Sequence, residues 1–238
     1  MTEPTVELFR EDARLRSTPA TVVAAGPGGI VLDRTVFYPM GGGQPGDQGT
    51  LRLADGSEVG IVDTRWLDGA LVHVPAADAA LPAVGTTVEA ALDWALRSGR
   101  MRVHSCLHLL CRAVDEAVTG GQIGDDRGRL DFAIPGEVPT KEAITERLNA
   151  WIAADLPISH RWIEADELDR RPDLVRTMSV RPPRTGGRVR LVEIEGVDLQ
   201  ACGGTHVART GEIGPVEVVK IENKGKQNRR FTVALTNG

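Results

Sequence analysis

With 238 residues, 41% of them apolar and 26% charged, the chain can form one large domain or two modest ones with substantial cores. No stretch approaches the roughly 18 uninterrupted apolar residues of a membrane span. The start, "MTEPTVELFRED", lacks the apolar run of a signal peptide, so a cytoplasmic location is expected. Only three cysteines occur, Cys106, Cys111 and Cys202, which makes a disulfide framework a poor expectation and puts metal binding or packing first. The net charge of −5 argues against a non-specific nucleic-acid binder.

Residues 1–92 read as a run of short β segments. "ATVVAA", "GIVLD", "GTLRLA", "EVGIVDTRW", "GALVHVP" and "TTVEAALD" are separated by Gly, Asp and Pro signals at the spacing of a small β-barrel. Between them lies "FYPMGGGQPGDQG" (37–49), too dense in turn formers to be a strand or helix interior. A change of character follows over residues 93–238. "DWALRSGRMRVHSCLHLLCRAVDEAV" (93–118) predicts a helix, with Val103, Leu107, Leu110, Val114 and Ala117 at helical spacing. The strand "RLDFAI" then precedes a second helix, "TKEAITERLNAWIAADL", with Thr140 as N-cap. "ISHRWIEA", "RVRLVEIE", "VEVVKIEN" and "RFTVALT" complete an α+β domain of mostly antiparallel strands.

Two loops hold most of the concentrated positive charge. "RPPRTGGRVR" (181–190) has four arginines and no acid, and "KGKQNRR" (224–230) has two lysines, two arginines and no acid. On an otherwise acidic chain they suit a localised polyanion contact, with Arg181, Arg184, Lys224, Lys226, Arg229 and Arg230 as the phosphate-contacting candidates. Two solvated loops are the plain alternative.

The metal chemistry comes in two parts. His104 and His108 stand at i and i+4 of the first helix, about 40° apart around its axis, where two imidazoles can reach one ion. "CGGTH" sets Cys202 four residues before His206 with two glycines between them. Each glycine would cost roughly 1 kcal/mol inside a helix, so a turn is the better reading. Either pair alone fits packing as well as metal binding. Together they supply the N and S donors that zinc takes in tetrahedral coordination. Cys111 is a possible but poorly placed further ligand; Cys106 reads as filler, and His73 and His160 as structural histidines. The metalloprotease pattern would put Glu after the first histidine as general base; Ser105 stands there instead.

These residues resemble a known family. "RVHSCLHLL" is similar to the R-x-H-T-x-x-H-L-L element of alanyl-tRNA editing proteins and of the alanyl-tRNA synthetase editing domain. "CGGTHV" resembles that family's second metal element, "VFYPMGGGQPGDQGTL" its glycine-rich N-terminal motif and "VVKIENKGKQNRRF" its C-terminal signature. The resemblance implies a small N-terminal β-barrel followed by an α+β domain of the threonyl/alanyl-tRNA synthetase editing type. It further implies a zinc-dependent deacylase acting in trans on tRNA(Ala) mischarged with serine, with glycine as a second candidate. His104, His108, Cys202 and His206 fall on the family's zinc and catalytic positions. Gln44 falls on the glutamine placed near the editing pocket. Ser105 falls where the family usually has threonine, and as a substrate-binding candidate it is expected to bond the substrate serine's own hydroxyl through its side chain. Gly203, Gly204 and Thr205 would bring backbone close to the substrate's 3′ end or ester carbonyl. Two rivals stand beside this reading: an editor of another tRNA, such as Ser-tRNA(Thr), and a non-catalytic zinc-stabilised RNA-binding module.

Overall fold

The computed structural model describes residues 4–176 and 182–236. In chain order the elements begin with β1 (Val6–Glu7), β2 (Ser17–Gly26), β3 (Gly29–Leu32), β4 (Arg34–Thr35), β5 (Gly49–Leu53), β6 (Glu58–Leu67), β7 (Ala70–Pro75) and β8 (Thr87–Leu92). The long helix α1 (Trp94–Val114) follows, then β9 (Ala117–Ile123), β10 (Arg127–Ala133), α2 (Lys141–Ala153), β11 (Ile158–Glu164) and α3 (Ala165–Arg170). The last strands are β12 (Arg188–Ile194), β13 (Asp198–Ala201), β14 (Val216–Asn223) and β15 (Asn228–Leu235). The chain divides into two compact units, Met1–Ser98 and Gly99–Gly238.

In the first unit the six segments expected as strands close into a barrel in the order β2-β3-β7-β6-β5-β8. Alternation along β2, β3, β5, β6 and β8 sends Ala20, Val22, Ile30, Leu32, Leu51, Val59, Ile61, Val88 and Ala90 inward to one core. The glycine-rich loop is strapped onto β6: Met40 N–H donates to Thr64 O (2.7 Å), and Thr64 Oγ1 donates to Asp47 O (2.9 Å). A side chain at Gly46 would overlap the Thr64 backbone, so close approach explains that glycine. Asp47 accepts from Tyr38 N–H (2.6 Å) and forms an ion pair with the fully buried Arg97, which also donates to the carbonyls of Ala13 and Val36. A buried pair of this kind keeps its stability only with such supporting hydrogen bonds.

The second unit carries two antiparallel sheets, β14-β15-β10-β9 and β11-β12-β13. Residues of α1 pack against β10 where Gly128 leaves room for Val103 and Leu107. Thr140 caps α2 by accepting from Ala143 N–H (3.2 Å), and Asn149 ties that helix to β14 through both the N–H and the carbonyl of Val216.

The first helix ends earlier than its periodicity suggested. Asp115 takes a left-handed conformation (φ 59°) and its carboxylate binds Arg112, so the chain leaves the helix and turns into β9. Ala117, placed on the helical stripe from sequence, is therefore an exposed strand residue. β9 was hidden by Gly120 and Gly121, and β13 by its shortness.

Candidate metal centre

Two elements of the second unit build the site. Helix α1 presents His104 and His108 on successive turns, both buried. β13 runs alongside β12 with Val192 opposite Gln200 and Ile194 opposite Asp198. Side chains alternate along a strand, so Asp198, Gln200 and the following Cys202 share one face, while Leu199 and Ala201 pack into the core on the other. The chain then turns through Gly203 and Gly204 to His206.

The result is a compact donor set. One ligand atom from each of His104, His108, Cys202 and His206 lies within 4.8 Å of the others. Cys202 Sγ is 3.5 Å from His104 Nε2 and 3.3 Å from His206 Nε2. Tetrahedral coordination at bond lengths of about 2.0–2.3 Å puts neighbouring donors about 3.3–3.7 Å apart, so these separations fit one ion. Cys111 and Cys106 stand outside the group, and burial pushes each thiol up to about 12.

Electrostatics favour the ligating forms of Cys202 and His206, though not of His108. Burial opposes ionisation of Cys202, yet the neighbouring His104 and His206 hold its thiol well below the ordinary range. Burial, with the charges of His104 and His108, pushes His206 well below the usual imidazole value. At His108 burial is outweighed by the hydrogen bond to Asp198 and by Cys202, which raise it to about 9. A thiolate among imidazoles is the state a soft metal ion requires.

A second layer orients these rings. His108 Nδ1 meets Asp198 Oδ2 (3.2 Å), and Gln200 Nε2 donates to the same oxygen (2.8 Å). His206 Nδ1 meets Ser105 Oγ (3.1 Å), which also accepts from Val207 N–H (3.3 Å). In both cases the inner nitrogen is left to the cluster, the arrangement typical of metal-bound histidine. Asp198 and Gln200 escaped the sequence reading. Their only signal was the alternation in "DLQAC", whose polar and sulfur residues recur with a period of two.

The other expected site residues fall as follows. Gln44 is buried in the first unit, its backbone exchanging hydrogen bonds with Gly41. Gly203 is half-buried, and Gly204 and Thr205 are buried. Gly203 and Gly204 are absent from the positive-φ glycines of the described residues, so their role is not the left-handed region. Arg181 lies outside the described residues. Arg184 is exposed and paired with Asp169 (2.6 Å). Lys224 is exposed beside Glu222 (3.4 Å), and Lys226 is exposed at the tip of its turn. Arg229 folds back onto Asn223 Oδ1 (3.0 Å) and Gly225 O (2.9 Å). Arg230 forms a two-pronged pair with Asp131, its cross-strand neighbour (2.7 and 2.9 Å). Among the histidines read as structural, His73 lies fully buried between Thr35 Oγ1 (2.8 Å) and Ile30 O (3.1 Å). No helix among the described residues is long and apolar enough to cross a membrane.

Comparison with known proteins agrees with this architecture. A family model described as the threonyl and alanyl tRNA synthetase second additional domain matches residues 189–232. One described as tRNA synthetases class II (A) matches residues 5–96. The alanyl-tRNA editing protein AlaX-M of Methanosarcina mazei is 36% identical over 242 residues, covering 97% of this chain and 96% of that protein. The AlaX-M protein of Saccharolobus solfataricus is 32% identical over 231 residues, 95% of this chain and 97% of its own length. The alanine–tRNA ligase of Caldivirga maquilingensis is 36% identical over 233 residues, which make up 92% of this chain but only 25% of the ligase. A barrel unit joined to an editing-type α+β unit, matched end to end by these relatives, places the chain in the AlaX-M family of alanyl-tRNA editing proteins.

Proposed function

We propose that the chain is a zinc-dependent aminoacyl-tRNA deacylase that hydrolyses mischarged tRNA(Ala) in trans, with Ser-tRNA(Ala) as main substrate and Gly-tRNA(Ala) as a second. The observation that carries this reading is the four-donor group of His104, His108, Cys202 and His206 in a chain as long as the AlaX-M proteins. The match covers only a quarter of the ligase relative. A protein acting on cellular tRNA would work in the cytoplasm.

These four residues would hold the ion, and when bound it supplies a Lewis acid and a water of lowered pKa beside the ester. Neither His104 nor His108 is followed by a carboxylate base, so the protein's own work is binding and orientation. Asp198 fixes the His108 ring and Ser105 the His206 ring. Gly203, Gly204 and Thr205 keep the turn slim enough for the aminoacyl ester and terminal adenosine to come close. Lys224, Lys226 and Arg229, with Arg181 and Arg184 of the other basic stretch, supply the positive charge for the acceptor phosphates, whereas Arg230 is held by Asp131. Gln44 is assigned to the substrate's neighbourhood on the family motif alone.

Discrimination against alanine rests on the serine hydroxyl. A site that binds this group can reject the substrate lacking it by up to about 10⁴–10⁵. Deacylation of Ser-, Gly- and Ala-tRNA(Ala), with Ser-tRNA(Thr) alongside, tests the proposal. Release of serine and glycine but not of alanine is expected. Preference for Ser-tRNA(Thr) would move the chain to the other editing specificity. Inactivity on all four, with unfolding on chelation, would leave a zinc-stabilised RNA-binding module.

A further inference from the structure

Arg190 is one of the four arginines of the basic stretch 181–190, yet it is 5% exposed and faces inward. Its neighbours on the same face of β12, Val192 and Ile194, are buried apolar residues. A guanidinium in that row is costly unless its donors are used. One of its nitrogens is used on the metal turn. Arg190 Nη1 donates to Gly204 O (3.0 Å) and to Cys202 O (3.3 Å). The backbone of the same residue holds the other side of Cys202, whose N–H donates to Arg190 O (3.0 Å). One residue thus grips Cys202 at both its amide and its carbonyl, and grips the turn again two residues on. With the Cys202 and Gly204 carbonyls drawn to the Arg190 side, the Gly204 N–H lies on Cys202 Sγ (3.4 Å).

We propose that Arg190 is a positioning residue for the metal centre: it sets the shape of the Cys202–His206 turn and so the place of Cys202 Sγ relative to the three imidazoles. It touches neither ion nor substrate in this role. The inference rests on the reading of the four donors as a metal site. The two are separable in one titration, because the unsubstituted chain reports on the metal site and the variants report on Arg190.

The test is titration of the full chain and of Arg190→Met and Arg190→Lys with cobalt(II). It reads affinity, the thiolate-to-cobalt charge-transfer band, and the melting temperature with and without metal. Arg190→Met is expected to lose about 10- to 100-fold in cobalt affinity, as for other residues that orient ligands. Its charge-transfer band should shift or weaken. Arg190→Lys is expected to recover part of both, since a single nitrogen serves both carbonyls. Parental affinity and band in Arg190→Met overturn the proposal. So does an equal fall in melting temperature with and without metal while the cobalt spectrum stays parental, because that marks a purely structural residue. If Arg190→Met does not fold, Arg190→Lys decides alone: an altered band in a normally melting protein supports the proposal, and a parental band and affinity overturn it. A parent chain that takes up no cobalt overturns the metal reading and this inference with it.

Discussion

Ser105 Oγ lies 3.1 Å from His206 Nδ1, linking the middle of the His-x-x-x-His helix to the far end of the Cys-x-x-x-His turn. The serine is fully buried, and its hydroxyl oxygen accepts from Val207 N–H (3.3 Å) as well. It can therefore support the His206 ring, which is a different task from reading the substrate's own hydroxyl. Ser105→Ala is expected to weaken zinc binding and to reduce kcat/KM on serine and glycine substrates alike, by roughly tenfold or about 1.4 kcal/mol. Ser105→Thr, which keeps the hydroxyl, should retain activity. A loss confined to Ser-tRNA(Ala), with zinc retained, would show that Ser105 selects the amino acid.

Replacing a donor should be more severe. His104→Ala or His108→Ala is expected to abolish stoichiometric zinc and deacylation together. Elemental analysis that finds one zinc per chain in the double variant would remove these histidines from the metal site.

Asp198→Asn tests the second layer. Asp198 is buried and binds His108 Nδ1 and Gln200 Nε2. The substitution keeps the shape but removes the charge, and a fall in zinc affinity of about 10- to 100-fold is expected. A chelator competition giving the parental constant would show that Asp198 does not support the metal ligand.

The two ends of the basic hairpin should separate stability from RNA binding. Arg230 is spent on the half-buried pair with Asp131, whose carboxyl it holds below the usual range. Arg230→Ala is expected to cost about 1–3 kcal/mol in denaturant unfolding. Lys226→Ala, at an exposed tip, should leave stability unchanged, weaken all tRNAs similarly and flatten the salt dependence. An unchanged salt slope would identify the loop as solvated surface.

His73 gives the barrel a defined acid sensitivity. Burial lowers it from 6.5 to about 4. The unfolded chain then takes up this proton before the folded one does. Its contribution is complete above about pH 6.5 and is lost as the pH falls towards about 4, amounting to about 3 kcal/mol. Comparing unfolding free energies of the parent and His73→Asn at pH 7 and pH 4.5 checks this. A gap between the two proteins that is the same at both pH values would refute it.

Where local pattern carries the information, the sequence sufficed. The six barrel strands were readable because alternation and turn residues act over a few neighbours, and Thr140 because capping is local. The four residues of the candidate metal group were readable because each pair sits within one turn of chain and their chemistry is shared. What tertiary structure alone decided is non-local. Asp198 and Gln200 reach His108 only because β13 pairs with β12 in one register, and a slip of one residue would turn both to the opposite face. The same pairing turned Arg190 inward to hold the metal turn, although in the sequence it is indistinguishable from the other arginines of its loop. Arg230 was matched to Asp131 by cross-strand pairing between residues far apart in the chain. The end of α1 at Asp115 likewise overrode an apolar period that ran on into β9. Composition and spacing specify which groups are available; the strand register decides which of them meet, because side chains reach one another only across faces that distant segments bring together.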